Sequence, residues 1–219
     1  MSRKEKTIQL LLQQKLLPLY YHDEVTVSIN ILKALYEGGI RMVEYTHRGA
    51  NAFQNFIALK KVLTHEMPDL QLGIGTIKNA QQAQQYIDAD ADFVVCPTIT
   101  TAIGEAVHQS GRLWIPGCMT PTEIAQAEEA GATVVKIFPG HILGPAYISA
   151  IKELFPALKF MPTGGVEAEE SNLKNWFASR VVAVGMGSKL ITKALVSANN
   201  YQQLKFDTQK ALELIKKVT

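Results

Sequence analysis

Short runs of apolar and β-branched residues recur along the chain, and each is followed by a longer segment whose apolar residues have helical spacing. The runs predict eight strands whose carboxyl ends fall about 20 to 30 residues apart. That interval is the length of one strand-and-helix unit, which sequential parallel strands need for their crossover connections. The predicted strands cover residues 16–21, 41–46, 71–76, 93–97, 113–118, 133–139, 159–165 and 180–185.

The segments between these runs predict seven helices, and two further amphipathic helices flank them near the two ends of the chain. Local helix signals agree with this division. Thr120, Pro121 and Glu123 supply an N-cap, a proline at the first helical position and a carboxylate in the first turn. The helices are predicted at residues 4–14, 25–37, 52–66, 80–89, 100–109, 121–130, 146–154, 168–178 and 201–217.

Eight strand-and-helix units predict an α/β fold, a single (β/α)₈ TIM barrel with an extra N-terminal helix. We expect one domain over residues 1–219, with the N-terminal helix in 1–15, the barrel in 16–195 and a C-terminal helix in 200–219. Dividing 219 residues by eight units gives about 27 each, near the lower end for such barrels. The alternative is a doubly wound open sheet, but no GxGxxG turn follows the first predicted strand.

The composition excludes several classes of protein. Apolar residues make up 47% of the chain, and 22 basic against 20 acidic residues leave a net charge of +2. This balance argues against a nucleic-acid or membrane-surface protein, and no run of ~18 apolar residues predicts a membrane span. With two cysteines and no signal-peptide pattern, a cytoplasmic location is the simplest expectation. The charged fraction of 19% leaves room for a subunit interface.

Two charged residues stand alone in otherwise apolar predicted strands. Lys136 lies in the sixth strand, where burial on either face favours the neutral amine that attacks a ketone. Glu44 lies in the second strand, and alternation places it on the same face as Thr46 and Arg48. A carboxylate can shuttle protons and a guanidinium can grip a substrate carboxylate. The competing interpretation is a buried ion pair between Glu44 and Lys136 that only holds the strands together.

Glycines end the last two predicted strands. Gly164 and Gly165 follow the seventh strand, and Gly187 with Ser188 follows the eighth, just before an apolar helix. Such loops let backbone N–H groups point at an anion, and the phosphate sites of barrels commonly use these two loops. The glycines therefore predict a phosphate site, with ordinary turns as the alternative.

Metal catalysis has little support in the sequence. The five histidines form no HxH or HxxxH pair and no carboxylate cluster accompanies them. His22, His47 and His141 lie just past strand ends and could touch a substrate, although polar loop histidines are commoner. Cys118 ends the fifth strand with no base nearby in sequence, which favours a buried structural thiol over a nucleophile.

Several segments together resemble the 2-keto-3-deoxy-6-phosphogluconate (KDPG) and 4-hydroxy-2-oxoglutarate (KHG) aldolases. Residues 39–48 are similar to the first signature of that family, and residues 131–144, which contain Val135-Lys136-Ile137-Phe138-Pro139, are similar to its Schiff-base lysine signature. The resemblance covers about residues 17–195. Further family segments match in the expected order at Gly73-Ile74-Gly75-Thr76, Pro116-Gly117 and Pro162-Thr163-Gly164-Gly165.

The resemblance implies a class I aldolase on a (β/α)₈ barrel that needs no metal or organic cofactor and is usually a homotrimer. It would cleave a 2-keto-3-deoxy-6-phospho sugar acid to pyruvate and glyceraldehyde 3-phosphate, with KHG, which yields pyruvate and glyoxylate, as a further substrate. Neither nucleic acid nor membrane is an expected partner. The alternatives are a phosphogalactonate-specific aldolase of the same family, a phosphate-binding barrel epimerase or synthase, and a non-catalytic binding barrel.

The resemblance also assigns roles by position. Lys136 would form the imine with the C2 ketone, and Glu44 would act as the general acid and base. Arg48 and Thr76 would hold the pyruvate carboxylate. The remaining assignments are Pro97, Phe138 and Thr163 to the bound substrate, and Gly164, Gly165, Gly187 and Ser188 to its phosphate.

The sequence departs from the family pattern near the predicted mouth of the site. Tyr45 and His47 stand where apolar residues are usual, and the first strand ends in Tyr20-Tyr21-His22, where many members have an arginine. These departures leave the imine-forming residues intact in type. They bear instead on which groups meet the far end of the substrate.

Overall fold

A computed structural model describes all residues from Met1 to Thr219 as an α/β fold of nine strands and ten helices. Every strand pair is parallel, and helices follow most strands, as the sequence predicts. The strands are β1 (Leu16–Tyr20), β2 (Met42–Thr46), β3 (Gln71–Gly75), β4 (Phe93–Val95), β5 (Leu113–Ile115), β6 (Gly117–Cys118), β7 (Val134–Ile137), β8 (Lys159–Pro162) and β9 (Val184–Met186).

Most helices lie within a residue or two of their predicted bounds. The predicted N-cap of α6 is present, because Thr120 Oγ1 accepts from the amide of Glu123 and the Glu123 carboxylate returns to the Thr120 amide. The helices are α1 (Arg3–Gln14), α2 (Val25–Glu37), α3 (Ala52–Glu66), α4 (Ala80–Asp88), α5 (Thr101–Gln109), α6 (Pro121–Glu129), α7 (Gly140–Ile151), α8 (Glu170–Ala178), α9 (Lys193–Ser197) and α10 (Tyr201–Val218).

Several elements differ from the prediction, and the short helix α9 lies outside every predicted helix range. Helix α7 begins at Gly140, six residues before the predicted start, and is kinked at Gly144, whose φ of 72° lies in the left-handed region. The predicted fifth strand is divided into β5 and β6 at Pro116, which has no N–H to donate to a neighbouring strand. The carbonyl of Pro116 still accepts from the amide of Lys136 at 2.8 Å.

The strands form two parallel sheets, and the single closed ladder expected from the sequence is not present. One sheet has the order β5-β4-β3-β2-β1-β9 and the other has the order β6-β7-β8. They adjoin at Pro116 and again between β8 and β9, where Thr163 forms an isolated bridge with Gly185 and the Val182 amide donates to the Phe160 carbonyl at 3.0 Å. The α/β class is therefore confirmed, while ladder closure is not observed at these two seams.

Strand alternation divides the core into two clusters. The larger lies between the strands and the helices and includes Val43 and Tyr45 of β2. The smaller takes the alternate strand residues, such as Met42, together with Leu11 of α1. Helix α1 is fastened to the strands by Gln14, whose amide bonds the backbone of Leu16, Arg41 and Met42. The smaller cluster consists of Leu11, Leu17, Met42, Phe93, Val95, Leu113, Ile115, Val134, Met161 and Ala183.

The smaller cluster positions the polar residues that the sequence singled out. Glu44 is the next residue after Met42 on the same face of β2, and Lys136 is the next after Val134 on β7. Both polar side chains therefore lie one layer above an apolar base, towards the carboxyl ends of the strands. None of the helices combines the length and the apolar character needed to span a bilayer.

Candidate active site

Lys136 and Glu44 face each other across the interior of the fold. Lys136 is 4% exposed and Glu44 is fully buried, and Lys136 Nζ lies 4.0 Å from Glu44 Oε1. The two residues belong to different sheets, so strand curvature and not strand pairing brings them together. The Lys136 Nζ atom also lies 5.0 Å from the centre of the Phe138 ring, which is half-buried at the end of the same strand.

The Glu44 carboxylate has no hydrogen-bond partner on either oxygen, although both oxygens are buried. Buried carboxylates are normally hydrogen-bonded, because leaving them without donors costs free energy. Space for this carboxylate comes from Gly75, since a Cβ there would lie 1.8 Å from Glu44 Oε1. Glu44 is thus a buried acid–base group with free lone pairs beside a lysine.

Thr163 presents a second unpartnered polar atom. Its side chain follows Met161 on the inward face of β8, it is 6% exposed, and its Oγ1 makes no hydrogen bond. A Cβ at Gly185 would lie 2.3 Å from this oxygen, so a glycine again makes room for the polar group. The hydroxyl is free to bond a polar group of a ligand in the interior.

Arg48 and Thr76 meet at the carboxyl ends of β2 and β3. Arg48 is exposed, and its Nε donates to Thr76 Oγ1 at 3.4 Å. Thr76 has a φ of 63°, an uncommon left-handed conformation for a β-branched residue. A long hydrogen bond to an exposed guanidinium leaves most of the Arg48 donors free at the mouth of the interior.

Pro97 lies next to β6, the strand that pairs with the strand of Lys136. It forms no hydrogen bond or ion pair with the lysine. A Cβ at Gly117 would lie 2.4 Å from the Pro97 carbonyl oxygen, and Gly117 is the strand partner of Lys136. Pro97 therefore supports the wall behind Lys136. The Phe138 ring lies beside the lysine nitrogen. Pro97 and Phe138, both predicted to bind substrate, therefore occupy different positions relative to Lys136.

The four predicted phosphate-binding residues occupy two neighbouring loops. The amides of Gly164, Gly165, Gly187 and Ser188 donate to no backbone carbonyl. Gly164 and Gly165 have φ values of 93° and 74° and pack against His141. Gly187 and Ser188 instead line a cleft of about 430 Å³, which they share with Arg48, Lys193, Tyr21, His22, Leu19, Tyr20, Ile31, Ile191, Val196 and Ser197.

The cleft is suited to an anion at one end of an elongated ligand. Arg48 and Lys193 carry positive charge and no carboxylate side chain lines it. The unpaired amides of Gly187 and Ser188 add donors without charge. The bridge between Thr163 and Gly185 brings the two glycine loops side by side, although Gly164 and Gly165 do not line this cleft.

Other residues considered from the sequence lie outside this arrangement. His47 turns to the helical layer, where its Nδ1 lies 2.8 Å from the Tyr86 hydroxyl, and burial lowers its pKa. Burial raises the pKa of Cys118 to about 12 and that of Cys96 to about 12. No three His, Cys, Asp or Glu side chains are grouped so as to hold a metal ion.

Sequence reasoning missed the residues that make space and shape at the site. Gly75 and Gly185 matter because their missing side chains admit Glu44 and Thr163. The signal available in the sequence was a glycine at an inward-facing strand position, which alternation identifies. Lys193 was also missed. It follows β9, which pairs with β1, and it lines the cleft with Tyr21 and His22.

Comparison with known proteins gives a consistent result. The sequence profile of the family described as KDPG and KHG aldolase matches residues 7–206. The 2-dehydro-3-deoxy-phosphogluconate aldolase of Treponema pallidum is 34% identical over 203 residues, covering 92% of this chain and 93% of that protein. The KHG/KDPG aldolase of Escherichia coli K12 is 28% identical over 197 residues, covering 90% of each.

A solved structure agrees in backbone as well as in sequence. The KDPG aldolase of Legionella pneumophila, with pyruvate captured as a covalent carbinolamine intermediate, matches with a TM-score of 0.84 and 25% identity. The match covers 92% of this chain and 96% of that chain. The residues matched by the family profile, 7–206, include Glu44, Lys136 and Thr163.

Proposed function

This chain belongs to the KDPG and KHG aldolase family and is an aldolase, and from that premise we propose that it cleaves a 2-keto-3-deoxy-6-phospho sugar acid to pyruvate and glyceraldehyde 3-phosphate through a Schiff base on Lys136. The observation that carries the proposal is the buried pair of Lys136 and Glu44, 4.0 Å apart, in which neither carboxylate oxygen has a hydrogen-bond donor. A pair that only stabilised the fold would engage those oxygens.

Lys136 is the nucleophile in this scheme. Its amine attacks the C2 ketone, and loss of water gives an imine that is positively charged when protonated. The electrons of the C3–C4 bond then move into the imine, the proton of the C4 hydroxyl passes to a base, and the aldehyde leaves. The remaining enamine takes a proton at C3, and hydrolysis of the imine releases pyruvate and restores the amine.

Glu44 moves the protons of these steps. A carboxylate within about 4 Å of the lysine nitrogen reaches the C4 hydroxyl and the C3 carbon directly or through one water. The free lone pairs of both oxygens allow it to accept a proton without first breaking a hydrogen bond. Glu44 also offsets the positive charge of the protonated imine.

The substrate lies between the interior and the cleft. We assign the pyruvate carboxylate to Arg48 and Thr76, which already share a hydrogen bond at the mouth. Thr163 donates to a substrate hydroxyl through its free Oγ1. Phe138 packs beside the imine, and Pro97 forms the wall behind it.

The phosphate binds at the two glycine loops. The unpaired amides of Gly164, Gly165, Gly187 and Ser188 are its donors, and Arg48 and Lys193 make the adjoining cleft cationic. KHG lacks a phosphate, so its cleavage to pyruvate and glyoxylate relies on the imine residues and the carboxylate site alone. The sugar acids of the gluconate and galactonate series differ in configuration. Assays with both substrates measure which of the two the enzyme cleaves more efficiently.

Borohydride trapping tests the central step. Protein incubated with pyruvate and sodium borohydride should gain the mass of one reduced pyruvyl group, mapped by peptide sequencing to Lys136. Lys152 is the internal control, because burial lowers its pKa and it too lies over an aromatic ring, 5.4 Å from the centre of Phe160. Active protein that remains unmodified at Lys136 would refute the proposal and favour an epimerase or synthase. A Lys136→Met variant with full function would favour a non-catalytic barrel.

We further propose that residues 1–219 act as one domain, with the two sheets closed into a (β/α)₈ barrel. Low charge content, 19% of residues, supports assembly through an extended interface, and the family resemblance suggests a homotrimer in the cytoplasm that acts without metal or organic cofactor. Light scattering should then give three times the 24.1 kDa chain mass. Activity should persist after dialysis against a chelator.

A further inference from the structure

The loop between β1 and α2 is held by an unusual concentration of hydrogen bonds at one atom. The carbonyl oxygen of His22 accepts from Ser28 Oγ at 3.1 Å, from the Tyr45 hydroxyl at 3.0 Å and from Asn55 Nδ2 at 3.0 Å. Asn55 Nδ2 also donates to the carbonyl of Asp23 at 2.8 Å. Three separate elements, α2, β2 and α3, therefore converge on a single peptide of this loop.

This arrangement leaves the loop with little freedom. A carbonyl oxygen has two lone pairs, so three donors saturate it. The donors are themselves buried, with Ser28 and Tyr45 fully buried and Asn55 5% exposed. If the peptide rotated, all three would lose the His22 carbonyl as an acceptor in a place that water does not reach, although Asn55 also donates to the Asp23 carbonyl. Burial also raises the pKa of Tyr45 above its ordinary value, so its hydroxyl remains a donor at neutral pH and into the alkaline range.

The same loop forms one wall of the 430 Å³ cleft. Tyr21 and His22 line the cleft together with Ser188 and Lys193 from the other end of the chain. The Tyr21 hydroxyl donates to the Asp23 carboxylate. The His22 Nδ1 accepts from the amide of Glu24 at 3.1 Å, which in the neutral ring leaves the hydrogen on Nε2 as a donor.

Gly49 allows the Tyr21 side chain to pack closely against the backbone. A Cβ on Gly49 would lie 2.0 Å from the Tyr21 hydroxyl oxygen, so the Tyr21 ring rests directly on the backbone that follows Arg48. The Tyr21 ring also lies 5.7 Å from the ring of Tyr45. The Tyr21 ring is thereby packed against the backbone next to Arg48, the residue whose guanidinium shares the cleft.

We propose that Ser28, Tyr45 and Asn55 are positioning residues that hold Tyr21 and His22 as a specificity-determining wall for the distal phosphoryl group of the substrate. The proposal rests on the proposed function, because the phosphoryl group is the part of the keto acid farthest from the imine. None of the three positioning residues touches the substrate. They act on binding of its phosphorylated end and leave the chemistry at Lys136 unchanged.

Kinetics on two substrates test this inference. Tyr45→Phe removes one donor to His22 and keeps the buried ring, and should raise KM for the phosphorylated substrate about three- to tenfold with kcat within twofold. The kcat/KM for KHG, which has no phosphate, should stay within twofold. Tyr86→Phe is the matched control, since Tyr86 is also fully buried in the helical layer and its hydroxyl bonds only His47. It should change neither substrate's KM.

Two measurements independent of turnover complete the test. Calorimetry should show that inorganic phosphate binds the Tyr45→Phe variant with an affinity about three- to tenfold lower than that of the unaltered protein. Amide hydrogen exchange of residues 21–24 should accelerate in Tyr45→Phe and stay unchanged in Tyr86→Phe. Ser28→Ala, the smallest change to the cluster, replaces Tyr45→Phe if the latter does not fold, and the same shifts are expected.

The outcomes separate this inference from the proposed function. If pyruvate and borohydride label Lys136 but Tyr45→Phe alters both substrates equally, or alters neither, the positioning role is refuted and the proposed function stands. If Lys136 is never labelled while phosphate binding still weakens in Tyr45→Phe, the wall is upheld as an anion site and the proposed function fails. Unchanged loop exchange in Tyr45→Phe overturns the inference in either case.

Discussion

The Nζ atom of Lys136 and the Oε1 atom of Glu44 lie 4.0 Å apart across the interior, with no other donor on the carboxylate. This separation is too long for a direct hydrogen bond, but it is short enough for one water beside the pair to bond both groups. The pair rests on an apolar base formed by Met42, Val134 and their neighbours. Such a base limits the directions in which either side chain can relax.

Glu44→Gln should separate imine formation from proton transfer. The amide keeps the shape of the carboxylate but cannot act as a base at neutral pH, so we expect kcat to fall by about 10² to 10⁴. Borohydride trapping of pyruvate on Lys136 should persist in the same variant, at a lower rate. Coupled assay of pyruvate release and intact-mass analysis measure the two effects. Equal kcat in the variant and the unaltered enzyme would remove Glu44 from the mechanism.

Gly75→Ala should impair catalysis by displacing Glu44. The new Cβ would lie 1.8 Å from Glu44 Oε1, so the carboxylate must move. Misplacement of a catalytic group by about 1 Å costs on the order of 10²-fold in rate. Gly111→Ala is the control, because no atom lies within 4 Å of its added Cβ and only the φ of 69° is unfavourable.

The control should lose about 1–2 kcal/mol of stability with kcat unchanged, since L-residues disfavour the left-handed region. Thermal unfolding and steady-state kinetics of both variants make the comparison. A Gly75→Ala enzyme that is as active as Gly111→Ala would contradict the tight packing of Gly75 on Glu44.

Lys193→Met should weaken binding of the phosphorylated substrate. Lys193 lines the cleft with Arg48 and Ser188, and losing its charge removes one exposed cation near the phosphate. We expect KM to rise about threefold to tenfold, with a smaller change at high salt because exposed charges are screened. Lys189→Met is the matched control, since Lys189 pairs with Glu167 outside the cleft lining. Equal effects of the two substitutions would show that Lys193 has no specific part.

The thiol of Cys96 should be inert in the folded protein. Burial raises its pKa to about 12 from the ordinary 9.0, so at pH 8 it is a protonated thiol that iodoacetamide alkylates slowly. The unfolded chain loses this proton first as pH rises from about 9 to 12, so the free energy of unfolding should fall across that range. Mass analysis of alkylation with and without urea, and urea midpoints at pH 8 and pH 10, check both. Rapid labelling of native protein at pH 8 would contradict the burial.

Much of the fold could be predicted from local pattern. Helices α2 and α3 begin and end where apolar spacing placed them, and the capping residues Thr120 and Glu123 form the predicted pair. The break at Pro116 and the early start of α7 were not predicted. Whether a strand is interrupted at a proline such as Pro116 depends on how the neighbouring strand pairs with it. Whether a helical turn forms before the kink at Gly144 depends on the residues that pack against that turn.

The chemistry of the site was predictable in part. Alternation placed Glu44 and Lys136 on buried faces, and the glycines marked the two loops whose amides donate to no backbone carbonyl. Burial of the lone charges follows from the apolar strands that contain them. His47 was expected at the mouth because it lies just past a strand end, whereas its ring bonds Tyr86 among the helices. Alternation places His47 on the same face of the strand as Val43 and Tyr45, which pack against the helices, and the structure agrees with that pattern.

By itself the sequence determined most of the element order, the α/β class, the family resemblance and the identity of the single buried lysine and glutamate. Only the tertiary structure decided that residues 44 and 136 meet at 4.0 Å without other partners, that glycines 75 and 185 make room for Glu44 and Thr163, and that three buried side chains hold the carbonyl of His22. The physical reason is the separation along the chain over which each kind of interaction acts. Patterning acts over a few residues, whereas these contacts join strands and helices far apart in the chain through the curvature of the sheets.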